Sequence, residues 1–136
     1  MDKSFLILVE TSIWVRFLSL PEDSLSLELD KLLLSGPVAI CGPIYAELLS
    51  GVKTKHEHER LQNLLKSLVI LDPPEDIWPL IGHHRFNLAR KGIQSSLVDL
   101  WIALTADYHQ IPLWTLDKDF HYIQQAIKFN FYEFSH

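Results

Sequence analysis

Short apolar runs alternate along the chain with longer stretches in which aliphatic residues recur at three- and four-residue spacing, and that alternation predicts strands and helices in turn. Phe5-Leu-Ile-Leu-Val9 is a continuous run, as expected of a strand buried on both faces of a parallel sheet, and it ends at Glu10. Thr11 or Ser12 stands where a cap is needed for a short helix through Phe17, and Leu25, Leu29, Leu32 and Leu33 mark a second helix ending at Gly36. Val38 to Cys41 is a second strand. Gly42-Pro43 then places proline in the first turn of a helix that stops near Gly51. Between His56 and Leu68 the leucines at 61, 64, 65 and 68 form one stripe opposite a charged face, and Val69 to Leu71 follows as a third strand. Pro73-Pro74 breaks the chain before a helix from about Asp76 to Lys91, closed by Gly92, and a further helix starts at Ser95 or Ser96. Leu113 to Leu116 is a fourth strand ending at Asp117, a short helix carries Phe120 and Ile123, and Phe129 to Phe134 alternates like a final strand.

Strands separated by one or two helices imply right-handed crossovers. The predicted fold class is therefore α/β, a three-layer arrangement of a mostly parallel central sheet with helices on both faces. The 136 residues, 48% of them hydrophobic, suffice for one core, so residues 1–136 are read as a single domain. In such sheets ligands bind beyond the carboxyl ends of the strands. A formal net charge of −5 argues against a uniformly basic nucleic-acid-coating protein. The lone Cys41 offers no internal disulfide and no thiolate metal framework, which points to the cytoplasm. The first apolar run, interrupted by Glu10, is too short for a membrane span.

The carboxylates are the informative residues. Glu10 is the only charge from Ser4 to Val15, Glu47 the only one from Val38 to Val52, and Asp99 the only one from Gln94 to Ala106; Asp117 ends an apolar strand. An unpaired carboxylate in an apolar interior carries a large desolvation penalty, so each must be hydrogen-bonded, protonated or neutralised by a cation. Four such groups at strand ends and on inward helix faces predict convergence on one pocket, and Mg²⁺ or Mn²⁺ is the simple remedy for their repulsion. Each acid also has a local reading: Asp99 in a variant capping box with Ser96, Asp117 as a cap on the next helix, Glu47 near its helix's N-terminal half, and Glu10 paired with Arg16.

Other chemistries find less support. His56-x-His58 and His83-His84 lack the spacing by which one helix face grips zinc. Neither a G-x-S-x-G elbow nor a phosphate-binding G-x-x-x-x-G-K-[ST] loop is present. Trp14, Trp78, Trp101 and Trp114 sit among aliphatic residues and read as core or dimer surface rather than as base-stacking platforms.

Around the four acids, the segments Leu8-Val-Glu-Thr-Ser-Ile-Trp-Val15, Ile44-Tyr-Ala-Glu-Leu-Leu49, Leu97-Val-Asp-Leu-Trp-Ile-Ala103 and Leu113-Trp-Thr-Leu-Asp-Lys-Asp-Phe120 resemble the successive motifs of PIN-domain ribonucleases of the VapC toxin type. Order and spacing agree over nearly the whole chain. The resemblance implies a PIN-like fold and hydrolysis of RNA phosphodiesters with Mg²⁺ or Mn²⁺ held by Glu10, Glu47, Asp99 and Asp117. Ser12 and Thr115 become assisting hydroxyls, and Asp119 a peripheral acid. It further implies a homodimer, a VapB-like antitoxin that blocks the pocket, operator DNA contacted only through that antitoxin, and structured RNA such as transfer RNA as substrate. Arg85, Arg90 and Lys91, on the helix before Asp99, are candidates to steer the RNA backbone.

One position departs from the family pattern: the first acid is ordinarily aspartate, and here it is Glu10. The extra methylene is expected to push the carboxylate outward, where metal sites tolerate only about 0.5 Å of displacement. Attenuated activity is one consequence. The competing reading is a catalytically weak PIN domain that acts as an antitoxin-binding co-repressor.

Overall fold

The computed structural model describes residues 5–134, so the outermost residues of the 1–136 domain read from the sequence lie outside the described residues. Four strands, β1 (Ile7–Val9), β2 (Val38–Cys41), β3 (Val69–Leu71) and β4 (Leu113–Trp114), form one sheet in the order β3-β2-β1-β4. Every pairing is parallel, with Leu8 opposite Ala39 on one side and Leu113 on the other, and Ile40 opposite Ile70. All residues of β1 and β2 are buried, which is why their sequences are unbroken aliphatic runs.

Helices α1 (Thr11–Ser19) and α2 (Ser24–Ser35) connect β1 to β2, and α3 (Gly42–Gly51) and α4 (Lys55–Lys66) connect β2 to β3. These crossovers step across the sheet in one direction. The α5 (Ile77–Arg90) and α6 (Leu97–His109) pair returns in the other direction to β4, on the far side of β1, and α7 (Asp119–Ile123) follows. Right-handed connections therefore put α1 to α4 on one face and α5 and α6 on the other. The reversal also makes the carboxyl ends of β1 and β4 the switch point at which α/β sheets open a crevice.

Local signals set most boundaries. Gly36 ends α2 at φ 101°, its amide donating to Leu32 O at 2.8 Å. Gly92, at φ 80°, follows α5 while its amide reaches Ala89 O and that of Ile93 reaches Leu88 O, a Schellman closure. Pro79 is tolerated because it lies in the first turn of α5, where amides lack helical partners anyway. Trp14 is fully buried, and its indole Nε1 donates to Val9 O at 3.0 Å, which pins α1 back onto the end of β1.

Several expectations need correction. β1 starts at Ile7, and Phe5 is 74% exposed. β4 is two residues long because Thr115 turns out of the ladder toward the acids. The expected final strand over Phe129–Phe134 shrinks to a single parallel bridge, Leu113 to Phe131, since so short a β4 offers little edge to pair with and Phe129 and Phe131 pack on each other instead. Trp14 and Trp114 are core, whereas Trp78 is 61% exposed and packs edge-on against the half-buried Trp101.

The glycine geometry gives a paired expectation for denaturant unfolding. Gly92→Ala, which forces a Cβ into left-handed backbone with no neighbour in the way, should lower stability by about 1 kcal/mol. Gly82→Ala, inside α5 with open space around it, should raise stability by roughly 0.5–1 kcal/mol.

Candidate metal centre and active site

Glu10 occupies the position after β1 and serves as the N-cap of α1, a role the sequence had assigned to Thr11 or Ser12. Only 6% exposed, its carboxylate is held through one oxygen. Oε1 accepts from Ser12 Oγ at 2.5 Å, from Ser12 N at 3.2 Å and from Thr115 Oγ1 at 2.6 Å. The extra methylene thus folds the side chain back over its own helix start instead of pushing it outward. Arg16 is not its partner; that guanidinium pairs with Asp23 at 3.4 Å.

The two hydroxyls extend this node. Ser12 Oγ accepts from Leu116 N at 2.8 Å, and Thr115 Oγ1 accepts from Asp117 N at 3.0 Å. Together they tie the loop after β4 to the start of α1. Asp117 Oδ1 in turn accepts from Asp119 N at 2.9 Å, a tight local turn, whereas the N-cap of α7 is Lys118 and not Asp117 as the sequence suggested. Ser96, the N-cap of α6, accepts from Asp99 N at 3.0 Å, placing Asp99 in the first helical turn, where the helix dipole favours an anion.

Carboxylate oxygens of Asp99, Asp117 and Asp119 lie within 4.8 Å of one another. Asp119, expected at the periphery, is therefore inside the tightest group, whereas Glu10 and Glu47 stand outside it. The Asp-Lys-Asp spacing after β4 was the available signal, because the short turn returns Asp119 to the side of Asp117. Burial and then the charge of Asp117 push the Asp99 carboxyl up to about 6; the Ser96 hydroxyl opposes this, and Glu10 and Asp119 add to it. Among the described residues the ion pairs are Arg16–Asp23 and Lys31–Glu28, and neither reaches these acids. An all-oxygen set of three carboxylates without a basic partner suits a hard divalent cation.

Glu47 differs from its expected inward pose. It is exposed on α3 and accepts from Thr11 Oγ1 at 3.0 Å. Thr11 was read only as a cap, although a hydroxyl beside the first acid was a hint of this contact. Glu47 still belongs to the same end of the sheet: Cys41, whose thiol is pushed up to about 12 chiefly by burial, also feels the charges of Glu47 and Glu10. At that value Cys41 stays a neutral thiol and supplies neither ligand nor nucleophile.

The basic candidates lie on the exposed surface of α5 and its cap. Arg85 Nε donates to Ser95 O at 3.0 Å and thereby braces the loop before α6. Arg90 lies 5.5 Å from the Phe86 ring centroid, and Lys91 caps the helix. Among the described residues no helix is long and apolar enough to cross a membrane.

Known proteins resemble this chain in sequence and fold. The chain is 29% identical over 119 residues to Ribonuclease VapC11 of Mycobacterium tuberculosis, a match covering 85% of this chain and 89% of that protein. The structure of VapBC2 from Rickettsia felis bound to a DNA fragment from their promoter superposes with a TM-score of 0.73 at 27% identity, covering 94% of this chain and 99% of that one. VapBC-5 of Mycobacterium tuberculosis, a member of the VapBC family of toxin-antitoxin systems, gives a TM-score of 0.61 at 23% identity over 91% of this chain and 94% of that one. The family model for the PIN domain matches residues 7–125, which span all four strands and all five acids, and the chain belongs to the PIN domain family.

Proposed function

We propose that this chain is a metal-dependent endoribonuclease and the toxin of a type II toxin–antitoxin pair. The observation that carries the reading is the group of Asp99, Asp117 and Asp119 within 4.8 Å, unpaired by any cation of the described chain, in a PIN fold with a VapC ribonuclease among its relatives. On this reading Asp99, Asp117 and Asp119 hold Mg²⁺ or Mn²⁺, and Glu10 and Glu47 complete the acidic rim. When bound, a divalent cation supplies Lewis acidity there, acidifying water and offsetting the charge of a phosphodiester. Ser12 and Thr115 act as positioning residues: they fix Glu10 and the loop that carries Asp117. The co-repressor alternative is not favoured, because three of the acids remain gathered.

The partners follow by analogy with the VapBC assemblies: a VapB-like antitoxin, operator DNA reached through it, and structured RNA such as transfer RNA as substrate. The net charge of −5 supports leaving direct DNA contact to the antitoxin. Exposed Trp78, Phe86, Leu97 and Val98 on α5 and α6 support a homodimer. The compartment proposed is the cytoplasm.

Cleavage of a total RNA pool by the purified chain with Mg²⁺ or Mn²⁺ tests the reading; activity should vanish with chelator and with Asp99→Asn. Glu10→Asp, which restores the shorter acid of the family, should cut faster, and a rate at or below that of the parent would mean the capped glutamate already serves.

Calorimetric Mn²⁺ titration should show affinity falling as pH drops below about 6, because the proton on Asp99 competes with the metal. The sign for folding is opposite. With its carboxyl raised from 3.8 to about 6, metal-free protein loses this group's contribution to stability as pH climbs through that window, so added Mn²⁺ should raise the melting temperature more at pH 7 than at pH 5.

Arg90→Ala and Lys91→Ala should each weaken RNA binding and reduce the slope of log affinity against log salt by about 1. An unchanged slope would remove these residues from the RNA path.

A further inference from the structure

We infer that the cleft between β4, α7 and the carboxyl-terminal segment is a nucleobase subsite, which receives a base flanking the susceptible phosphodiester and favours guanine; the inference rests on the ribonuclease reading above. The cleft has a volume of about 600 Å³, and its lining includes Thr115, Leu116, His121, Phe131, Glu133 and Phe134.

Its location links it to the acids. Thr115 forms part of the cleft wall while its hydroxyl donates to Glu10 Oε1 at 2.6 Å and accepts from Asp117 N at 3.0 Å. Thr115 thus joins the cleft to Glu10 and to the backbone of Asp117, so an RNA whose phosphate lies over the acids has an adjoining base on the side of the opening.

The lining suits a base in both of the ways single-stranded RNA is read, by stacking and by hydrogen bonds to base edges. The His121 ring lies on Phe131 with centroids 4.4 Å apart and planes at 32°, and His121 is solvent-exposed, so a third ring can continue the stack. Leu116, 43% exposed, adds apolar surface. Glu133 brings an exposed carboxylate, an acceptor only. Guanine alone among the four bases offers it two adjacent donors, N1–H and N2–H, for a bidentate pair; uracil offers one.

The segment is also held in place in advance. Leu113 N donates to Asn130 O and Tyr132 N to Leu113 O, both at 2.8 Å, and the Tyr132 hydroxyl donates to Glu28 Oε2 at 2.6 Å. Phe131 and Glu133 are therefore fixed on either side of an anchored residue.

The test is a nuclear magnetic resonance titration of ¹⁵N-labelled, metal-free protein with guanosine 5′-monophosphate and with uridine 5′-monophosphate, run beside the RNA cleavage assay. Expected are amide shifts at Leu116, His121, Phe131 and Glu133, with the guanosine nucleotide bound about tenfold tighter. His121→Ala should weaken both nucleotides, and Glu133→Gln should shrink the ratio between them. Both side chains are exposed, so an unchanged melting temperature checks that the variants fold. Shifts confined to other regions, or none, would overturn the subsite, and equal binding of the two nucleotides would overturn the guanine preference. Binding is read without cleavage, so the two readings fail separately: RNA cut without shifts in the cleft removes the subsite alone, and guanosine binding in the cleft without RNA cleavage removes the ribonuclease reading alone.

Discussion

A carboxylate that is 6% exposed at the end of a central strand is tolerable only if its charge is met by donors, and at Glu10 three donors converge on one oxygen. Those donors come from two places, the first turn of α1 and the residue after β4. The same contact that satisfies Glu10 therefore fixes where the chain leaves β4, and through Thr115 and Asp117 it fixes the acids of the site. Trp14 reinforces it from beneath, since its bond to Val9 O holds α1 against the strand end that presents Glu10. Removing either hydroxyl would leave a buried carboxylate short of a partner, so the contacts that place the acids also support the fold.

The sheet supplies the rigid half of the arrangement and the acids the unstable half. Strands β1 and β2 are fully buried and carry no polar side chain, so the sheet is covered on both faces where they run. At the carboxyl end of the sheet the protein gathers like charges that favour separation, and Asp99 is raised to about 6 first by burial and then by the charge of Asp117. A divalent cation bound as proposed would relieve that repulsion, and its binding energy would then add to the stability of the fold.

The far face of the molecule has a different character. Trp78 and Phe86 project into solvent from α5, and beneath them the indole N–H of Trp101 and the hydroxyl of Ser95 are buried without a hydrogen-bond partner among the described residues. A monomer with exposed aromatics over unsatisfied polar atoms is less well finished here than at its sheet, which agrees with a surface meant to be covered.

By itself the sequence determined the order of elements as far as α7, the parallel α/β class and which acids stand alone in apolar segments, because strand burial, helix periodicity and glycine caps are local patterns that survive in one dimension. The glycines at 36 and 92, the prolines at 43, 73 and 74 and the isolated acids at 10, 47, 99 and 117 all carried that information. Tertiary structure decided which carboxylates meet. Asp119 joins Asp99 and Asp117 while Glu10 and Glu47 stand apart, since distances between residues remote in sequence depend on where β4 ends and how α6 crosses the sheet. It likewise decided that Trp78 faces solvent and that the final alternating segment forms one bridge, for alternation predicts a strand only where a neighbouring strand is long enough to pair with it.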